Sequence, residues 1–214
     1  MEPLPRFLNP DAITKTTGNR LPHWDQQSGT FFITFRLVDS IPRERLQSYQ
    51  LERKQWDETH GPRPWSLEVE RAFHRQFTRR FERWLDHGDG ECLLRDPEHA
   101  AIVAEALAHF EGERSRLHAW VVMPNHVHVL VSLVGDTALA DLLRTWKGFA
   151  ARKINERRGR AGSVWQKSYF DRLVRDWEHF TRCARYIRNN PAKAHLREGE
   201  YLYGENDLVR QLLA

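Results

Sequence analysis

Four side chains in this sequence have the types and spacing for metal-assisted nucleophilic chemistry. In "WVVMPNHVHVLV" His126 and His128 are separated by one residue. On a strand, residues i and i+2 point to the same face, so both imidazoles are presented together while Val127 and Val129 turn into the other layer. Two neutral imidazoles on one face suit one divalent cation, and a third ligand has to come from elsewhere. In "ARYIRNNP" Tyr186 and Asn190 stand at i and i+4 and share a helical face, with Arg182 one turn earlier. A tyrosine facing such a metal is a phenolic nucleophile. The metal would polarise a phosphodiester, and Asn190 offers a side-chain oxygen to complete the ligand set. Each half alone has a plainer reading. A bare HxH fits a satisfied core pair or a wet strand face, Tyr186 fits a core aromatic, and Asn190 fits a polar helix end before proline. The combination is what points to chemistry.

These residues need a strand and a helix that face each other. "SRLHAWVVM" and "HVHVLVSLV" read as two strands joined at Pro124-Asn125, an antiparallel hairpin. "GTFFITFRLV" reads as a third strand, interrupted by polar Thr34 and Arg36. "DPEHAAIVAEALAHFEG" is a helix with Asp96 as cap, Pro97 in the first turn and Gly112 at its stop. "ALADLLRTWKGFAARKINERRGRAG" is a long helix with a basic C-terminal half, and "SVWQKSYFDRLVR" is partly extended. "DWEHFTRCARYIRNNP" is a helix capped by Asp176 and ended by Pro191. Residues 1–29, rich in Pro, Gly, Asn and Thr, read as an irregular lead-in. From about residue 40 to 97 the chain is highly charged, with an amphipathic helix from Ser66 to Gly88 and a Gly-Pro-x-Pro stop before it. The order predicts an α+β fold: a central antiparallel sheet with helices packed mainly on one face.

The 214-residue chain suits one domain with an insertion. A 40% hydrophobic content supports a real core and excludes general disorder. Two distant cysteines, Cys92 and Cys183, exclude a disulfide framework and a CxxC zinc site, and suit a reducing compartment. No apolar run approaches the ~20 residues that span a bilayer, and the N-terminus lacks the plan of a signal peptide, so a cytoplasmic protein with no membrane partner is expected. The formal charge of +4 is too small to identify a partner, but basic residues cluster. Arg144, Lys147, Arg152, Lys153, Arg157, Arg158 and Arg160 form a stripe that suits phosphates or a solvated helix face. Trp165, Tyr169 and Phe170 follow it and suit base stacking or, more readily, the core. Arg75, Arg79, Arg80 and Arg83 read mainly as the wet side of their helix.

"HAWVVMPNHVHVLV", "VWQKSYFDRLVRD" and "YIRNNPAKAHL" occur in this order between about Leu117 and Leu196, with a weaker echo at Gly29 to Val38. Together they resemble the single-tyrosine HUH transposases, most closely the branch of REP-associated tyrosine transposases. The resemblance implies a ferredoxin-like or RRM-like HUH catalytic domain over residues 1–214, with a helical insertion at roughly 40–97 that carries no family motif. It implies His126 and His128 as the HUH pair holding Mg²⁺ or Mn²⁺, Asn190 as a polar third ligand and Tyr186 as nucleophile. The implied reaction cleaves single-stranded DNA through a 5′-phosphotyrosine link and rejoins it from a free 3′-OH, with no nucleotide cofactor. The implied partner is single-stranded or hairpin DNA, held by Arg182 and the basic residues of the stripe. In such enzymes the tyrosine helix comes from the same chain or from a second copy, so a monomer or a homodimer is expected. One departure is His195, where many relatives have glycine. Two other classes stay open: a metal-dependent nuclease or hydrolase that uses water, and a non-catalytic nucleic-acid-binding module.

Overall fold

The computed structural model describes residues 4–9, 15–17, 23–61 and 65–214. Its centre is a five-stranded antiparallel sheet of β3 (Thr30–Arg36), β4 (Ser115–Val122), β5 (His126–Leu133), β6 (Phe170–Leu173) and β7 (Leu202–Glu205). Their spatial order is β6-β3-β5-β4-β7. Helix α4 (Pro97–Ala108) follows β3 and α5 (Leu139–Arg158) follows β5. The path β3-α4-β4-β5-α5-β6 over a sheet ordered β6-β3-β5-β4 is the ferredoxin-like arrangement, and β7 extends its β4 edge. Ahead of it, β1 (Lys15–Thr17) and β2 (His23–Asp25) form a short antiparallel pair within the expected irregular lead-in.

The strand sequences set which face each residue takes. Phe31, Ile33 and Phe35 of β3 join Val127, Val129 and Val131 of β5 in the larger core, under Val103 and Leu107 of α4 and Leu142, Trp146 and Ile154 of α5. The opposite face carries the polar alternates. Thr34 pairs with His128 and Arg36 with His126. One-residue alternation is therefore what places the histidines away from the larger core. Over this second face lies α6 (Trp177–Lys193), with α7 (Asp207–Leu212) beyond it, and Phe32, Val121, Leu130, Phe180, Ala184, Ile187 and Val209 form the smaller core. Burial of each large apolar side chain contributes roughly 1.5–3 kcal/mol, enough to fix α6 and its tyrosine on the sheet.

Between β3 and α4 lie α1 (Arg43–His60), α2 (Leu67–Phe73), a π-helical turn His74–Thr78 and α3 (Arg79–Asp86). Gly61 closes α1, while Pro62, Arg63 and Pro64 of the expected stop lie outside the described residues. Ser66 caps α2 by accepting from the Val69 amide, as expected, but the π-turn divides the single helix anticipated from Ser66 to Gly88.

Two helix ends differ from expectation. Helix α4 stops at Ala108 rather than continuing to Gly112, and a turn leads into β4. Helix α6 runs through Pro191 to Lys193. Proline lacks only its own amide donor, so the ladder resumes beyond it, with the Ala194 amide donating to the Asn190 carbonyl at 3.0 Å. Among the described residues no helix is long and apolar enough to cross a membrane.

Candidate active site

The tight turn at Pro124-Asn125 starts β5 on a histidine. The Met123 amide donates to the His126 carbonyl at 2.8 Å and closes the hairpin. His126 and His128 then share one face, with their Nε2 atoms 3.1 Å apart and their rings at 79°. Each ring is held from behind. Nδ1 of His126 lies 2.7 Å from Asn125 Oδ1, so it carries the proton and donates to that oxygen. Nδ1 of His128 lies 2.7 Å from Thr34 Oγ1, a hydroxyl that can donate or accept. Burial pulls the His126 pKa down to about 3, with Lys193 adding to the effect, and burial also pulls His128 well below its ordinary value. Both rings are neutral, the form a metal requires.

Helix α6 brings Tyr186 of the same chain against this pair. The Tyr186 ring stands edge-on to His128, with centroids 5.3 Å apart, and edge-on to Phe32 at 5.7 Å. Ile187 and Ala184 anchor the helix on the apolar part of the same face. Asn190, one turn after Tyr186, is 1% exposed, and neither its Oδ1 nor its Nδ2 has a hydrogen-bond partner. The Tyr186 hydroxyl is also buried. Asn190 and Glu82 approach it without making a hydrogen bond of good geometry. Burial raises the Tyr186 pKa far above that of a free phenol, and the carboxylates of Glu82 and Asp86 raise it further.

The donor set fits a divalent cation. Two ligands ~2.1 Å from one octahedral ion at a right angle lie ~3.0 Å apart, close to the 3.1 Å between the two Nε2 atoms. The buried Asn190 amide, with neither polar atom hydrogen-bonded, is a donor group that would gain a partner as a ligand. Among the described residues no group of three His, Cys, Asp or Glu side chains is placed to hold a metal ion.

The expected nucleic-acid contacts divide by face. Helix α5 covers the face opposite the histidines. Its cations are paired there: Arg144 with Asp141 at 2.8 Å, Arg152 and Lys153 with Glu156 at 3.9 and 3.8 Å, and Arg158 with Glu91 at 2.6 Å. Arg157 pairs with Glu98, and Arg160 lies 3.8 Å from Glu91. Lys147 donates to the Gln166 and Lys167 carbonyls at 2.7 and 3.0 Å, and burial lowers its pKa to about 8. Of the anticipated DNA-binding residues only Arg182 is on the tyrosine helix, exposed and paired with Glu178. Trp165 is core, edge-on to Phe35 at 5.0 Å, and Tyr169 and Phe170 pack against the two cores.

Several residues at the site were not singled out from sequence. Thr34 and Asn125 hold the two rings. Arg36, pulled to about pKa 10 by burial, donates to Ser40 Oγ at 2.9 Å and lies over the Phe81 ring of α3. Lys193, in the turn of α6 beyond Pro191, stands over the Tyr186 ring at 5.5 Å. Polar residues breaking an apolar strand at Thr34 and Arg36 were the available signal; nothing in the sequence placed Lys193.

A ferredoxin-like sheet with paired imidazoles against a tyrosine helix defines an α+β domain built around a buried polar centre. Its segment 97–190 matches the family model described as IS200-like transposase. A protein of uncharacterised function from Haemophilus influenzae is 30% identical over 101 residues, which cover 36% of this chain. The chain spans about half the length of that relative, 54%. Among solved structures, a REP-associated tyrosine transposase bound to a REP hairpin is similar with a TM-score of 0.43 and 17% identity, covering 78% of this chain and 69% of the other.

Proposed function

We propose that this protein is a DNA strand transferase of the REP-associated tyrosine transposase branch, acting on single-stranded or hairpin DNA. The observation that carries the reading is Tyr186 seated against His128, with its hydroxyl and the Asn190 amide buried and unpartnered. Tyr186 attacks a backbone phosphorus, its phenolic oxygen forms the 5′-phosphotyrosine bond, and the 3′-oxygen of the strand leaves as a hydroxyl. The reverse attack by a 3′-OH rejoins DNA and frees the tyrosine. His126, His128 and Asn190 would hold Mg²⁺ or Mn²⁺, which supplies charge stabilisation at the phosphate when bound. Thr34 and Asn125 fix the rings, and Phe32 fixes the tyrosine plane. The ferredoxin-like body is the catalytic unit, and α1 to α3 are an insertion between β3 and α4. DNA approaches from the α6 side, where Arg182 is exposed, while the α5 cations serve mainly as ion-pair partners on the far side.

The test is incubation with a hairpin-bearing single-stranded oligonucleotide and Mn²⁺, followed by a denaturing gel. A covalent protein–DNA band that Tyr186→Phe abolishes is expected. Cleavage surviving Tyr186→Phe would instead make the protein a water-using nuclease, and binding without cleavage would make it a non-catalytic binding module.

A further inference from the structure

The candidate site is closed as the chain is folded. His126, His128 and Asn190 are 1%, 2% and 1% exposed, so no DNA phosphate reaches them without a movement. Helix α3 contributes to that cover. Lys193 Nζ donates to Asp86 Oδ2 of α3 at 2.9 Å, and the same ammonium lies 5.5 Å from the Tyr186 ring centroid. Glu82, one turn before Asp86, faces Lys193, Arg172 and Arg79. The carboxylates of α3 thus occupy the cationic surroundings of the tyrosine.

Two observations mark this cover as separable from the body. Among the described residues, neither sheet core contains a residue of α1, α2 or α3. These helices have their own aromatic core, in which Tyr49 meets Phe77, Phe81 and Trp84, and Trp56 meets Phe73 and Phe77. The closed contact is also imperfect, because Asp86 Oδ1 is buried with no hydrogen-bond partner. Such an atom costs ~1–3 kcal/mol and offsets part of what the ion pair contributes. Ties to the body among the described residues include Arg172 Nη2 to His74 Nδ1 at 3.3 Å and Arg36 over Phe81 at 5.6 Å.

We propose that Asp86 stands where a backbone phosphate of the DNA strand binds, with Lys193 as the phosphate-holding cation beside Tyr186 and α3 as an acidic cover that the strand displaces. The inference rests on the reading of Tyr186 as the nucleophile. A carboxylate and a phosphodiester each satisfy the same ammonium, so exchange of one for the other leaves Lys193 paired throughout. The two anions repel, so cover and strand exclude each other, and Glu82 strengthens that exclusion.

The test uses the full chain carrying Tyr186→Phe, so that no cleavage occurs, with a hairpin-bearing single-stranded oligonucleotide as probe. Amide hydrogen exchange is followed in peptides covering α3. Exchange there should rise when the oligonucleotide binds, and with Asp86→Asn it should already be raised without DNA. Asp86→Asn should bind the oligonucleotide roughly two- to fivefold more tightly, the range expected for loss of a half-exposed ion pair. Lys193→Met should also free α3 but bind more weakly than the parent. Greater protection of α3 on DNA binding, or no gain in affinity with Asp86→Asn, would overturn the proposal. A wild-type chain that forms no covalent adduct counts instead against Tyr186 as nucleophile, and the exchange measurement does not depend on that result.

Discussion

His126 and His128 stand with their Nε2 atoms 3.1 Å apart, and the hydroxyl of Thr34 decides what lies between them. With Thr34 donating to His128 Nδ1, the His128 Nε2–H donates to His126 Nε2, and His126 Nδ1–H donates to Asn125. That chain is fully satisfied with no metal. When Thr34 turns and accepts from His128 Nδ1–H, both Nε2 lone pairs face each other and need a cation. The two arrangements of this network differ in the turn of the Thr34 hydroxyl and in the tautomer of His128, whose proton moves from Nε2 to Nδ1.

Thr34→Val tests this. Valine fills the same space but cannot accept from Nδ1, so the metal-ready tautomer of His128 loses its partner. Mn²⁺ affinity should fall roughly tenfold or more, in the range seen when such supporting groups are removed, while the circular dichroism spectrum is unchanged. Titration calorimetry with Mn²⁺ reads it. Equal affinity in Thr34→Val and wild type would show that the hydroxyl does not set the tautomer.

Asn190→Leu separates a site residue from a structural one. The wild-type amide is buried with both polar atoms unpartnered, each costing ~1–3 kcal/mol. Leucine of similar volume removes that cost, so the metal-free variant should melt at or above the wild-type temperature. Adduct formation should nevertheless fall by at least about tenfold, since the proposed ligand oxygen is lost. A lower melting temperature with adduct formation intact would mean that Asn190 is a packing residue.

Much of this centre was legible from period and spacing. Strand alternation put Val127 and Val129 in one core and the histidines on the other face, and helical spacing put Asn190 one turn beyond Tyr186. Local caps were legible too, at Ser66, Asp96 and Asp176. What escaped depends on contacts distant in sequence. Proline was read as the end of α6, yet the following turn carries Lys193 over Tyr186. The α5 stripe was legible as cationic, but its acidic partners Glu91 and Glu98 come from other segments. Strand β7 and helix α7 were not anticipated; short elements held by β4 and α6 leave little periodic signal.

Acid should unfold the protein through its buried histidines, with His118 a clear case. His118 Nε2 lies 2.7 Å from Ser132 Oγ, its ring stands edge-on to Phe180, and burial lowers its pKa from 6.5 to about 3. Below 6.5 the unfolded chain takes up a proton that the folded chain refuses until about 3, so stability falls as pH drops through that window. His179, lowered to about 4, acts in the same direction. His118→Gln should reduce the pH slope of the unfolding free energy within the window by up to about 1.4 kcal/mol per pH unit. Urea unfolding at a series of pH values measures this, and identical slopes in variant and wild type would refute it.

His195 makes the exit from α6 a strained one. The Leu196 amide donates to the Pro191 carbonyl at 2.9 Å and the His195 amide to Ala192 at 3.0 Å, the paired bonds of a Schellman turn. Such a turn places its penultimate residue in the left-handed region, and His195 has φ 56°. A side chain there costs ~1–2 kcal/mol relative to glycine, while glycine returns ~0.5–1 kcal/mol of unfolded-state entropy. His195→Gly should therefore stabilise the chain by up to about 1 kcal/mol, raising the melting temperature by roughly 2–4 °C for a protein of this size. His195→Ala keeps the strain and should melt near the wild type. If alanine stabilises as much as glycine, backbone strain is not the cause. If both variants melt lower, His195 contributes contacts that outweigh its conformation.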